Sequence, residues 1–183
     1  MRYFRRLHSF DAEALAAHLV ALDSRDRRSR FSAPVSDQAI RAYVAGIDWR
    51  RAAIIGCFDG ATLIGTAELH LPAAGEASRE GEFAVAVAPA RRDEGLGSEF
   101  LRRVIVLARN RMLRRLRMVC LLDNGPMRRI ARKFGGELDI TDGQAWADLR
   151  LPFPDPLSLA SEAYEESFGL AAAMQTRHGL ALA

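Results

Sequence analysis

The chain contains almost no lysine and little cysteine. Lys133 is the only lysine among its 26 basic residues, and only two cysteines occur in 183 residues. Cys57 and Cys120 both fall inside apolar runs typical of strands, where an unpaired thiol behaves as a small hydrophobic side chain. We therefore expect a reduced, cytoplasmic protein.

Long apolar stretches and clusters of metal ligands are also lacking. No run is long enough to cross a bilayer, and no apolar segment follows the basic residues 1–6, so we expect neither a membrane span nor secretion. His70 has no cysteine, aspartate or histidine at ligand spacing around it. We therefore expect no metal site.

The charges of the chain nearly balance. Its 26 basic residues exceed its 23 acidic residues by three, a small excess for a nucleic-acid-binding protein. Arginine is concentrated in residues 109–117, but no aromatic side chains alternate with it. The balance is compatible with an anionic ligand, and nucleic-acid binding is the weaker alternative.

The hydrophobic content of 49% is enough to build one full core, so we expect a single domain. Apolar periodicity and turn residues predict the order of elements. A short strand is followed by two helices, and the polar run 23–30 is interpreted as the end of the first. A hairpin follows, with its turn at Asp59-Gly60. The later elements are a strand at 82–88, a helix at 95–110, a strand at 117–122, a helix ending near 134, two strands and a terminal helix after Asp155-Pro156.

The most informative segment joins a strand to a helix through residues 88–98, which we call the glycine loop. Gly95 and Gly97, two residues apart, let the backbone approach an anion closely. The unpaired N–H groups of the first helical turn then point at that anion. Phe100 stands where the dinucleotide-binding fingerprint needs a third glycine, and Gly-Lys-Ser/Thr is absent. The segment therefore predicts a diphosphate-binding loop of another type.

Two motifs carry a resemblance to a known family. Residues 92–97, Arg-Asp-Glu-Gly-Leu-Gly, resemble the R-x-x-G-x-G signature of the GNAT superfamily of N-acetyltransferases. Asn124, Met127, Ile130, Lys133 and Gly135 resemble its second signature, and residues 22–31 are similar to the GNAT domains of bacterial protein-lysine acetyltransferases. The resemblance implies an α/β (α+β) fold with a mixed, mostly antiparallel twisted sheet of about seven strands and flanking helices. It implies an acyl-CoA-binding domain at 1–152 and a C-terminal helical extension at 153–183.

The resemblance also implies where acetyl-CoA binds. The strand before the glycine loop pairs with the pantetheine arm, the loop holds the pyrophosphate through its backbone, and an asparagine stands near the pantetheine. Acidic residues at 93 and 94 depart from the usual pattern of the loop. The residues that match these positions are Phe83, Val85, Val87, Arg92, Asp93, Glu94, Gly95, Leu96, Gly97, Ser98 and Asn124.

For catalysis, Glu82 occupies a position that resembles that of the family's glutamate base, beside small alanines that would leave it partly desolvated. Ala131 stands where many members carry a tyrosine that protonates the departing thiolate. The resemblance implies transfer of an acetyl group from acetyl-CoA to an amine, either a protein lysine or a small molecule. A non-catalytic acyl-CoA sensor or interaction module is the alternative, and a homodimer stays open.

Overall fold

The computed structural model describes residues 1–73, 75–141 and 143–181, with side chains up to residue 176. This part of the chain contains seven strands and six helices, with short 3₁₀ turns at Ser9–Asp11 and Pro89–Arg91. The strands are β1 (Arg2–Leu7), β2 (Ala52–Asp59), β3 (Thr62–His70), β4 (Glu80–Val87), β5 (Arg115–Leu121), β6 (Glu137–Thr141) and β7 (Gln144–Arg150). The helices are α1 (Ala12–Val20), α2 (Ser24–Phe31), α3 (Asp37–Ala45), α4 (Leu96–Asn110), α5 (Gly125–Lys133) and α6 (Pro156–Ala181).

The seven strands form one mixed sheet in the order β1-β2-β3-β4-β5-β7-β6. Every neighbouring pair is antiparallel except β4 and β5, which are parallel. The predicted fold class, a mostly antiparallel sheet of about seven strands with flanking helices, is therefore confirmed. The parallel pair follows from the connection, because α4 returns the chain to the edge at which β4 began.

Helices cover both faces of the sheet, and each face has its own core. On one face, α4 buries the apolar stripe that its 3.6-residue period predicts, including Phe100, Leu101 and Val104, and α5 adds Met127 and Ala131. On the other face, α1 and α3 pack against the first three strands. The side chains of β2 are buried along nearly its whole length because this strand has a core on each side.

Helix α2 corrects the interpretation of residues 23–30 as the end of the first helix. Asp23 caps α2, its side chain accepting a hydrogen bond of 2.8 Å from the backbone N–H of Asp26. Charged and serine residues make up the helix except for Phe31 at its end, and no residue of it is buried. It therefore has no apolar periodicity to detect. The helix lies against β4 and β5 and lines the cavity described below.

The C-terminal helix α6 docks on its own domain, packing against β1 and α4. Gly169 faces the backbone of β1 so closely that an added Cβ would stand 2.3 Å from the carbonyl oxygen of Phe4. Ion pairs between Arg102, Arg103 and Glu165 tie α6 to α4. Its other side exposes apolar residues such as Tyr164 and Phe168. The predicted extension 153–183 includes two residues, 182 and 183, that lie outside the described part.

Within the described residues, no helix combines the length and the apolar content that crossing a membrane requires.

Candidate active site

The parallel strands β4 and β5 separate part-way along their length. They are paired from Glu80 and Arg115 to Phe83 and Met118, and no pairing follows beyond that point. Strand β4 continues to Val87 while still paired with β3 on its other side. The backbone groups of 84–87 that face β5 therefore have no strand partner among the described residues, and an extended ligand can pair with them as an added strand.

The glycine loop lies at the end of β4 and leads into α4. Gly95 forms the N-cap of α4 at φ +78° with no side chain capping the helix, and Asp93 also has a positive φ of 60°. Across the described residues, no acceptor is found for the backbone N–H groups of 93–98, while Glu99 N–H bonds to Gly95 O at 3.1 Å. Six successive unpaired donors at a helix N-terminus are suited to binding an anion.

One detail of the predicted loop is different. Arg92 is the first residue of the motif 92–97, but its backbone N–H points to the carbonyl oxygen of Pro89 at 3.4 Å. The set of unpaired donors is therefore 93–98 rather than 92–97.

The side chains of Arg92 and Glu94 in the loop are both held in ion pairs. Arg92 pairs with Asp26 and, at 3.5 Å, with Asp23, which fastens the loop to α2. Glu94 pairs with Arg2 on β1 and lies 3.8 Å from Arg91. Because neutralising partners hold these side chains, an anion in the loop meets backbone donors rather than an unpaired carboxylate of Glu94.

A cavity of about 780 Å³ runs from the glycine loop along the open edge of β4 to α2 and α5. This volume is within the range of pockets that bury a ligand of cofactor size. Of the residues predicted to form the site, Glu94 alone does not line the cavity. Those that line it are Glu82, Phe83, Val85, Val87, Arg92, Asp93, Gly95, Leu96, Gly97, Ser98 and Asn124.

Comparison with known proteins agrees with this geometry. A family model described as "Acetyltransferase (GNAT) domain" matches residues 2–137, which is more than half of the chain. The chain belongs to this GNAT family. Its members are acetyltransferases, so the protein is an N-acetyltransferase enzyme. No curated protein sequence is a significant match.

Several solved structures share the GNAT fold of this enzyme. The GNAT domain of S. lividans PAT superimposes with a TM-score of 0.70 at 23% identity, covering 81% of this chain and 89% of that one. A ribosomal-protein-alanine N-acetyltransferase from Brucella melitensis has a TM-score of 0.64 at 18% identity, covering 81% and 99%. An acetyltransferase from Salmonella typhimurium, solved with acetyl-CoA, has a TM-score of 0.63 at 17% identity, covering 85% and 98%. At these identities the likeness is one of fold.

Asn124 stands at the N-terminus of α5 in this GNAT domain. Its side-chain oxygen accepts a hydrogen bond of 3.1 Å from the backbone N–H of Met127 and so caps the helix. The amide nitrogen of the same side chain remains as a donor on the cavity wall. Asn124 thus combines a capping role with a position beside the predicted pantetheine path.

Glu82 lies on β4 at the last part of the strand that is still paired with β5. It is exposed, which differs from the expected partial burial. Its neighbour in the register on β5 is Arg117, whose pKa is raised mainly by its hydrogen bond to Asp148 and in smaller part by the charge of Glu82. The carboxylate therefore stands between a cationic neighbour and open solvent, at the end of the cavity remote from the glycine loop.

Tyr164 and Cys120, two side chains with a proton to donate, do not line the cavity and so do not replace the absent tyrosine. Ala131 itself lies on the buried face of α5, in the core. Tyr164 stacks on Phe168 on the exposed side of α6, and burial raises the pKa of the Cys120 thiol. In the part of the chain that the structure describes, no group of three or more His, Cys, Asp or Glu side chains is placed to hold a metal ion.

The cavity residues on α2 and α5 were not predicted to be site residues, although residues 22–31 and Lys133 belong to the stretches that resemble the family. Arg25, Ser29 and Arg30 line the cavity from α2, and the Asp23-Ser24 cap was the only local signal for this helix. Arg129 and Lys133, four residues apart on α5, line it from the other side. Their helical spacing was readable in the sequence, but the direction of that face depended on how α5 packs.

A buried polar network forms the wall behind the alanines of β4. Glu68 on β3 is fully buried, and its carboxylate accepts a bond of 2.6 Å from Arg30, a bond from the Tyr43 hydroxyl, and one of 3.0 Å from Nε2 of His70. Burial alone would raise the pKa of Glu68, but the Arg30 charge and these hydrogen bonds outweigh it and lower the pKa to about 2. Burial and the charge of Glu68 raise the pKa of Tyr43, so its hydroxyl remains protonated. Tyr43 therefore donates a hydrogen bond within this network and is not suited to protonating a departing thiolate.

Proposed function

We propose that this enzyme transfers the acetyl group of acetyl-CoA to a primary amine, with the glycine loop holding the pyrophosphate and Glu82 acting as general base. The observation that carries the proposal is the run of six unpaired backbone donors at 93–98, located at the end of a strand whose next segment lacks a partner. An anionic diphosphate suits the first feature, and an extended amide-bearing arm suits the second.

On this geometry we propose a residue or segment for each part of the cofactor. Backbone N–H groups of 93–98 bind the pyrophosphate, with the Ser98 hydroxyl beside them. The pantetheine arm pairs with β4 at Val85 and Val87 and receives a hydrogen bond from the Asn124 amide. Phe83 supports the strand from the core, where it is 2% exposed. The thioester then reaches the point at which β4 and β5 begin to separate.

Acetyl-CoA supplies an activated acetyl thioester, so the chain's own task is to position it and to remove protons from the acceptor. An ammonium acceptor has no lone pair until it loses a proton, and the exposed carboxylate of Glu82 is the acidic side chain on β4 that lines the cavity there. Formation of the N–C bond and cleavage of the C–S bond release two protons from the ammonium. One ends on the CoA thiol and the other leaves to solvent.

We further propose a protein lysine as the acceptor, on the likeness of residues 22–31 to bacterial protein-lysine acetyltransferases. Support comes from the place of these residues in the fold, since α2 forms the cavity wall opposite β4. A small-molecule amine is the other outcome of an acceptor screen. We also expect a cytoplasmic location, because both cysteines are unpaired and buried.

The arginine-rich segment 109–117 does not favour nucleic-acid binding. Most of its guanidinium groups pair within the protein, so the segment is an ion-paired surface rather than an open basic stripe. The pairs are Arg109 with Asp155, Arg111 with Glu162, Arg115 with Glu80 and Arg117 with Asp148.

Calorimetric titration with acetyl-CoA tests the binding site, with NAD, ATP and desulfo-CoA as comparators. We expect saturable binding of acetyl-CoA and desulfo-CoA and loss of both in Gly97→Trp, because an indole at 97 fills the gap toward Ile130, whose Cδ1 would stand 2.7 Å from an added Cβ. Thermal unfolding of the variant checks that the fold is retained. Absence of binding at millimolar acetyl-CoA would contradict the proposal.

Turnover in the variant Glu82→Gln tests the base. We expect acetyl-CoA to bind as it does to the wild type, while kcat with spermidine or a lysine-containing peptide falls by about 10²- to 10⁴-fold, the usual contribution of a general base. Release of the CoA thiol reports the rate. An unchanged kcat would remove Glu82 from the mechanism while leaving the cofactor site intact.

A further inference from the structure

His70 lies beside the proposed base on the neighbouring strand. In the β3–β4 ladder the Cα of His70 is opposite that of Glu82, and such residues project from the same face with Cβ atoms about 4.5–5.5 Å apart. Glu82 lines the cavity, whereas His70 stands outside the lining with 35% of its side chain exposed. A proton taken up by Glu82 thus has an imidazole next to it that opens to solvent.

The buried carboxylate of Glu68 determines which nitrogen of His70 carries the proton. An ionised carboxylate only accepts hydrogen bonds, and Glu68 Oε2 stands 3.0 Å from His70 Nε2. The neighbouring Tyr43 hydroxyl gives its own proton to the same oxygen. In neutral His70, Nε2 is therefore the N–H donor, and Nδ1 carries the lone pair.

Nδ1 has no hydrogen-bond partner among the described residues, which leaves it able to accept a proton. The structural elements packed around His70 contribute both charged and neutral groups. The facing groups are Arg30 of α2, Tyr43 of α3, Glu68 of β3, Glu82 of β4, and on β2 the apolar Ala52, preceded by Arg51, which bonds the Leu71 carbonyl. The charges of Arg30 and Glu68 cancel each other. A protonated His70 therefore lies beside an ion pair with no net charge.

We propose that His70 relays protons for Glu82, accepting at Nδ1 the proton that the acceptor ammonium has given to the Glu82 carboxylate and passing it to solvent. Glu82 then returns to its ionised form for the next acceptor, and the imidazolium that forms is stabilised by its bond to Glu68. His70 acts through Glu82 without touching the substrate and is a positioning residue, as is Glu68. This inference rests on the proposed function.

The tautomer of His70 is measurable without any acceptor. Nitrogen-15 NMR of the imidazole groups, assigned by comparison with His70→Gln, should show the Nε2–H form of His70 in the free wild-type protein. Glu68→Gln removes the ionised acceptor, and we expect a mixture of tautomers there. A wild-type His70 in the Nδ1–H form would overturn the relay, because Nδ1 would then have no lone pair.

Kinetics provide the second readout. With spermidine or a lysine-containing peptide as acceptor, His70→Gln should lower kcat by about 10- to 100-fold and move the low-pH limb of the kcat profile, while the calorimetric affinity for acetyl-CoA stays unchanged. His8→Gln, the same exchange at an exposed histidine near the end of β1, is the matched control and should behave as the wild type.

The outcomes separate the two proposals. A His70→Gln variant with the wild-type kcat and pH profile would refute the relay but leave Glu82 and the acetyl transfer in place. Absence of acetyl-CoA binding to the wild type would refute the proposed function. The tautomer measurement would still decide whether His70 Nδ1 has a lone pair that can accept a proton. A lower kcat accompanied by weaker acetyl-CoA binding would show that His70 only supports the cavity wall, which also overturns the relay.

Discussion

Replacement of Glu68 by glutamine should destabilise the protein strongly at neutral pH. The change keeps the size of the side chain but removes the negative charge, leaving the Arg30 guanidinium with no counterion in a site where its side chain is 9% exposed and that of Glu68 is 1% exposed. Removing one member of a buried ion pair is costly because the other charge stays desolvated.

The magnitude follows from the pKa of Glu68. Folding lowers that pKa from the ordinary value of 4.5 to about 2, and this interval corresponds to about 3 kcal/mol of stability for the ionised form. For a chain of this length, we expect the melting temperature of Glu68→Gln to fall by about 6–12 °C at pH 7.

The pH dependence has a definite sign. Because the folded-state pKa is depressed, the stabilisation is fully present above about pH 4.5 and is lost as the pH falls toward 2. The melting temperatures of the wild type and the variant should therefore differ most near neutrality and converge below pH 4.5. Differential scanning calorimetry between pH 7 and pH 3 measures both curves.

A matched control separates this effect from charge removal in general. Glu13 pairs with Arg41 at 3.3 Å, but the two side chains are 84% and 54% exposed. Glu13→Gln should change the free energy of unfolding by less than about 1 kcal/mol. If Glu68→Gln melted within 2 °C of the wild type at pH 7, or if the difference did not shrink on acidification, the ion-pair reasoning would be wrong.

Two further predictions concern other parts of the fold. Gly169→Ala should lower the melting temperature because the new Cβ would stand 2.3 Å from the Phe4 carbonyl oxygen, although alanine favours a helix over glycine by about 1 kcal/mol. Ala171→Gly, on the exposed side of the helix, is the comparison. A Gly169→Ala variant that is more stable than the wild type would contradict the docking of α6. Burial raises the pKa of Cys57 to about 11, so iodoacetamide at pH 8 should label this thiol only after unfolding in denaturant, as mass spectrometry of the digested protein can show. Rapid labelling of the folded protein would contradict its burial.

The residues proposed to hold the cofactor could be named from the sequence because the signals that point to them are local. The glycine spacing at Gly95 and Gly97, and the change from a strand pattern to a helix pattern on either side, lie within about a dozen residues. Unpaired donors at a helix N-terminus follow from the chain direction alone. The family and the fold class that the resemblance implies were confirmed, and the motifs that carry the resemblance are likewise confined to short segments.

The cavity wall formed by α2 could not be predicted, because its contacts join residues that are distant in the chain. Arg92 reaches Asp26 across 66 residues, and Arg30 reaches Glu68 across 38. A glutamate within an apolar strand gives no sign of its partners until the sheet register and the position of α2 are known.

The sequence by itself thus determined the order of the elements apart from α2, the position of the glycine loop and, through its motifs, the membership of the family. Only the tertiary structure decided that α2 closes the cavity, that β4 and β5 separate after Phe83, and that Glu68 holds His70 beside Glu82. The physical reason is that backbone preferences and turns act between neighbours in the chain. Ion pairs and proton paths act through space, between groups that only the packed sheet brings within a few ångströms.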